Sequence, residues 1–89
     1  MSETMLSREL ARRITMALRS GHLPPVEFQR LAEDIEGDQR VAALRASIFG
    51  QPDETIVGQI DLKKRYLAVR YDEWLNRVEE QSASSHHQE

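Results

Sequence analysis

Residues 56–78, IVGQIDLKKRYLAVRYDEWLNRV, decide the fold class. At roughly 100° per residue, Ile56, Ile60, Leu67, Tyr71, Trp74 and Val78 fall within a sector about 60° wide, the narrow stripe of a helix lying on other helices. Lys63 and Lys64 interrupt that stripe, but a lysine stem lies along apolar surface while its ammonium stays in water. A second apolar set on the same helix, Leu62, Tyr66 and Val69, projects roughly 80–140° away from the first. One buried face does not account for both sets. Either the helix is touched from two sides within the chain, or the first set makes the core and the second meets another chain.

Outward from this stretch, Asp53 is placed to cap the helix, its carboxylate accepting from a free N–H of the first turn, which gives a helix over about residues 54–80. Gly58 weakens its opening by about 1 kcal/mol relative to alanine, so a start at Asp61 after an irregular or extended 54–60 is the alternative. Upstream, residues 4–20 repeat Leu6, Leu10, Ile14 and Leu18 at i+4, flanked by Met16 and Ala17, and Gly21 stops the run. Pro25 suits a first helical turn, so a second helix is expected at about 25–36 with Phe28, Leu31, Ala32 and Ile35 inward. Glu33, Asp34 and Glu36 then crowd the negative end of the dipole and Gly37 supplies a stop. Asp38 reads as the cap of a third helix at about 39–49, with Val41, Leu44 and Ile48 inward, closed by Gly50 and Pro52. From Gln81 onward, QSASSHHQE offers almost nothing to pack.

The expected architecture is all-α: a single domain over 1–81, built as a small bundle of four helices (about 4–20, 25–36, 39–49 and 54–80) with the C-terminal helix longest and central. A disordered, flexible tail is expected at 82–89. In a domain of 89 residues the hydrophobic gain only slightly exceeds the ordering entropy, so stability should be modest unless a partner adds to it. With 39% hydrophobic and 30% charged residues the chain is too apolar to be disordered throughout.

The net charge of −3 argues against a dedicated nucleic-acid binder, which needs a basic face to displace counterions from phosphate. Without cysteine there is neither a disulfide nor a thiolate, and no apolar run reaches the roughly 18 residues of a membrane span. The chain reads as cytoplasmic, with no membrane contact. Catalytic sets are missing from the pattern. His22 lies in a connector and His86 and His87 in the expected tail, none at a ligand spacing that a rigid element would hold. The acidic run Glu33 to Asp38 lacks the alternation and central glycine of a calcium loop, and the four glycines stand singly rather than as a phosphate cradle. Neither an enzyme, a small-molecule substrate, a metal nor a cofactor is expected.

What remains is binding. Leu62, Tyr66 and Val69, framed by Lys63, Arg65 and Arg70, have the make-up of an interface, an aromatic anchor and arginines around an apolar centre. The function expected is therefore a non-catalytic interaction module, an adaptor, chaperone or regulator of a partner protein. Self-association through the long C-terminal helix as a homodimer would use the same patch. The alternative is a small helix-turn-helix-like DNA-binding regulator, with the turn at Glu36-Gly37-Asp38, Arg40 and Arg45 contacting DNA from the third helix, and Arg8 and Arg12 adding charge from the first.

Overall fold

In the computed structural model, residues 8–87 are described, with side chains as far as residue 82, and three helices account for them: α1 (Arg8–Arg19), α2 (Val26–Phe49) and α3 (Glu54–His87). The helix expected from residue 4 therefore has its first four residues, Leu6 among them, outside the described residues, as are the last two of the expected tail. No strand occurs among the described residues.

The α1 terminus follows from Gly21. With φ at 92°, a conformation costly for any residue carrying a Cβ, Gly21 donates its N–H to Leu18 O at 3.0 Å. His22 N–H reaches Ala17 O at 3.0 Å, and the two bonds together satisfy carbonyls the helix end leaves open. The buried side of α1 is centred on Ala17, with Leu10 and Ile14 half-buried. Leu18, expected inward, stands next to Ala17 and so projects about 100° off the contact, where it is exposed.

The expected second and third helices are one. Gly37 and Asp38 lie inside α2, which runs unbroken through residues 26–49. Gly37 keeps an ordinary negative φ, so it acts as a poor helix residue costing about 1 kcal/mol relative to alanine, not as a stop. Asp38 caps nothing. It stands one turn beyond Asp34, and Lys63 of α3 places its Nζ 2.8 Å from Asp34 Oδ2 and 2.7 Å from Asp38 Oδ2. A single ammonium thus clamps the turn that holds the glycine. Continuity also removes the objection to Glu33, Asp34 and Glu36, which are mid-helix and far from the negative end of the dipole.

The connection to α3 is short because both its ends are tied. Gly50, with φ at 78°, ends α2 and donates to Ala46 O at 2.8 Å. Asp53 caps α3 as expected: Oδ1 accepts from Thr55 N–H at 3.0 Å and Ile56 N–H at 3.4 Å, and Oδ2 lies 2.8 Å from Arg45 Nη1 on α2. The helix therefore starts at Glu54, not at Asp61. At its other end it continues to His87, across residues expected to be a tail. Nothing in QSASSHH breaks a helix, and extending a formed helix adds one hydrogen bond for each residue fixed.

The chain divides into two units, each built on a different half of α3. In one, α1 packs with α3 from Ala68 onward, burying Ala17, Trp74, Leu75 and Val78. Leu75 is fully enclosed at 0% exposure, and the Tyr71 ring meets Trp74 edge-on with centroids 6.3 Å apart. In the other, α2 and α3 as far as Leu67 form a helical hairpin that buries Phe28, Ile35, Ile60 and Leu67. The expected stripe of α3 is thus the core stripe, with Ile56 and Tyr71 half-buried at its edges.

Two substitutions test this arrangement. Leu75→Ala should destabilise the chain by about 2–5 kcal/mol in urea unfolding, as for other enclosed leucines. Gly37→Ala should stabilise it by about 1 kcal/mol at low protein concentration, since a Cβ there meets nothing within 4 Å. A helix stop at Gly37 would give the opposite sign.

Candidate functional site

The second apolar set of α3 stands in solvent. Leu62, Tyr66 and Val69 are 65%, 57% and 54% exposed, and their i, i+4, i+7 spacing puts them on one side of the helix. The two framing arginines are held by carboxylates of their own helix, Arg65 by Asp61 at 3.1 Å and Arg70 by Glu73 at 3.5 Å. Val69 also edges a shallow groove of about 390 Å³ that Leu10, Glu9, Arg13, Ala68 and Asp72 complete. Of the five residues named from the sequence, Leu62, Arg65 and Tyr66 lie on the half of α3 that packs with α2, and Val69 and Arg70 on the half that packs with α1.

A further apolar set was misplaced by the sequence reading. Val41, Leu44 and Ile48, expected inward, are 47%, 61% and 64% exposed, and Phe49 beside them is 68% exposed. The reason is the phase of α2. Once the helix passes unbroken through Gly37, the buried positions Phe28 and Ile35 are followed at i+7 by Ala42, and Leu31 by Asp38. Asp38, Ala42 and Ala46 are the half-buried residues, and the larger aliphatic ones fall on the far side. Carrying the first half's phase across the glycine is the signal that would have found this surface.

The arrangement expected of a DNA reader is altered in the same place. With α2 continuous there is no turn at residues 36–38. Arg40 is exposed on α2, Arg45 is engaged by Asp53, and Arg8 and Arg12 are exposed on α1. Arg13 is the most engaged cation. Its guanidinium gives Nε to Glu79 Oε2 at 2.9 Å, Nη2 to Glu79 Oε1 at 2.9 Å and to Asn76 Oδ1 at 3.1 Å, and Nη1 to Asp72 Oδ1 at 3.0 Å. This fork on two α3 carboxylates raises the arginine further above its ordinary range, Glu79 contributing most. In return Arg13 holds the Glu79 carboxyl below its usual pKa. Lys63 is raised by Asp34 and Asp38, and Asp53 is lowered, first by the Ile56 N–H and then by Arg45.

Ser20, His22 and Glu79 share the lining of a second hollow, about 220 Å³, next to Arg13 and Val78. They do not form a nucleophilic set. Both Glu79 oxygens are taken by Arg13, and no hydrogen bond joins Ser20 to His22. Among the described residues no three His, Asp or Glu side chains gather to hold a metal ion. The side chains of His86 and His87 lie outside the described ones. No protein-family profile matches this chain, and neither a curated protein nor a solved structure shows significant similarity to it.

The carboxylates predict the response to acid. Glu79 and Asp53 have folded pKa values below their unfolded ones, so the stability they contribute is present above about pH 4 and is lost as pH falls through the folded values. The melting temperature should drop on going from about pH 5 to about pH 2, and Arg13→Gln should flatten that drop. An unchanged slope in Arg13→Gln would mean that the Arg13 cluster contributes nothing to folding.

Proposed function

We propose that this chain is a small, non-catalytic interaction module that binds a protein partner through the exposed face of α3 around Leu62, Tyr66 and Val69. One observation carries the reading: three large apolar side chains, more than half exposed, line up on a helix whose other apolar stripe buries Ile60, Leu67, Trp74 and Val78. Leaving them in water forgoes about 1.5–3 kcal/mol of transfer free energy for each one that a partner would fully bury. A tyrosine between aliphatic neighbours, with Arg65 and Arg70 already oriented by Asp61 and Glu73, gives a partner an anchor and a polar rim without the cost of ordering long side chains from scratch. The surface suits a helix or a groove edge laid along α3.

The DNA-binding alternative draws less support. Carboxylates hold Arg13, Arg45, Arg65 and Lys63, which reduces the charge available to phosphate, and the net charge remains −3. No described helix is long and apolar enough to cross a membrane.

A photo-crosslinking amino acid placed at Tyr66 tests the proposal in extract of the source cells. A discrete adduct heavier than the chain is expected, and Leu62→Glu should abolish it. An adduct of twice the chain's mass would make the α3 partner a second copy, and the absence of any adduct would sink the interaction reading at this face.

A further inference from the structure

On α2, Gly37, Val41, Leu44 and Ile48 follow one another at intervals of four, three and four residues, the spacing of a coiled-coil seam. Their side of the helix is turned away from α3, since Phe28 and Ile35 are buried while Val41, Leu44 and Ile48 are mostly bare. Gly37 is the unexplained member. It sits in the middle of a continuous helix with a negative φ, and a Cβ built on it meets nothing within 4 Å, so neither backbone conformation nor packing inside the chain calls for a glycine.

We propose that α2 pairs antiparallel with α2 of a second copy of this chain along the seam Gly37, Val41, Leu44 and Ile48. The sizes of the four residues choose this register. A two-fold axis between residues 42 and 43 sets Gly37 of each copy against Ile48 of the other, and the same axis sets Val41 against Leu44. Small meets large at both ends, and the two branched aliphatic residues meet at the centre, as an isologous contact requires. A parallel pair would instead stack glycine on glycine and isoleucine on isoleucine, leaving a gap at one end and crowding at the other.

The charges agree with the sizes. Asp38 and Arg45 lie seven residues apart on the same flank of the seam, and across the two-fold axis the residue of that flank nearest Asp38 of one copy is Arg45 of the other, offset by about 3 Å along the helix. Each already has an opposite charge within its own chain, Asp53 for Arg45 and Lys63 for Asp38. The contact therefore continues a row of alternating sign across the pair, Asp53, Arg45, Asp38, Lys63. On the other flank Arg40 meets the neutral Ser47.

The area decides how strong the pairing is. Val41, Leu44 and Ile48 at their observed exposures present on the order of 250 Å² of side chain, and the stems of Arg40 and Arg45 bring the contact to roughly 350–450 Å² per copy. A standard interface takes about 800 Å² from each partner, so this one belongs with the weak, reversible class. It should appear as a dimer that forms with concentration. It does not use the α3 face, so its failure and the failure of the partner-binding reading are separate results.

The chain has no cysteine, which makes a direct test clean. A mixture of Gly37→Cys and Ile48→Cys chains should cross-link on mild oxidation, while Ile48→Cys alone should not, because antiparallel pairing holds the two copies of residue 48 about 16 Å apart along the helix. In light scattering the wild-type mass should rise from 10.3 kDa towards twice that value with concentration. Leu44→Glu should abolish the rise with helical content unchanged, and Leu23→Glu, a charge at a more exposed leucine off the seam, should not. Three results would overturn the inference: a wild-type monomer up to about 1 mM, the weak end of the affinity scale; a rise abolished by Leu62→Glu but not by Leu44→Glu; or Ile48→Cys alone cross-linking as readily as the mixture.

Discussion

Everything in this chain leans on one apolar stripe. Of the eight buried core side chains among the described residues, Ile60, Leu67, Trp74, Leu75 and Val78 belong to α3, and the other three belong to the helices laid against it. Burial at about 25 cal/mol per Å² is the main favourable term available to so small a chain. Because α1 and α2 use different halves of α3, each unit has only a thin apolar contact of its own. A helix packed against a single neighbour can enclose only the residues at the centre of the contact, which is why Ala17 is buried and Leu18 is not.

Charge then fixes what burial leaves loose. Exposed ion pairs contribute little stability singly, with a median of about 0–1 kcal/mol, yet they discriminate between registers and directions. Lys63 spans Asp34 and Asp38 on the turn containing Gly37, Arg45 joins the end of α2 to the cap of α3, and Arg13 grips Asp72, Asn76 and Glu79 on α3. One of these three cations, Arg45, is a residue that the DNA-binding alternative needs free for phosphate. Their engagement is the physical reason why the chain presents apolar faces more distinctly than basic ones.

Those faces carry the functional argument. A two-helix hairpin buries one side of each helix and must show the other, so apolar residues on the outer sides are informative when they recur at helical spacing. Both α2 and α3 bear such a set, and each set includes a glycine in its line, Gly37 with Val41, Leu44 and Ile48, and Gly58 with Leu62, Tyr66 and Val69. The two sets share no residue.

The sequence by itself determined the helical class, the C-terminal end of α1, both ends of the α2–α3 connection, and the core stripe of α3 apart from Leu75. Each of these rests on local chemistry or a single uninterrupted period: Gly21 and Gly50 at positive φ, the Asp53 cap, and the 3.6-residue spacing from Ile56 to Val78. For Leu62, Tyr66 and Val69 the sequence showed a second stripe but left open whether this chain or another covers it, and only the structure shows all three exposed. Only the tertiary structure decided that α2 is continuous, and with it which side of residues 38–49 is buried. Locally, Gly37 followed by Asp38 reads as a stop and a cap, whereas Lys63, 25 residues beyond Asp38, supplies the charge that binds the turn on both sides of the glycine. An interaction between residues so far apart in the chain leaves no mark on either segment's periodicity, and it reversed the side on which Val41, Leu44 and Ile48 lie.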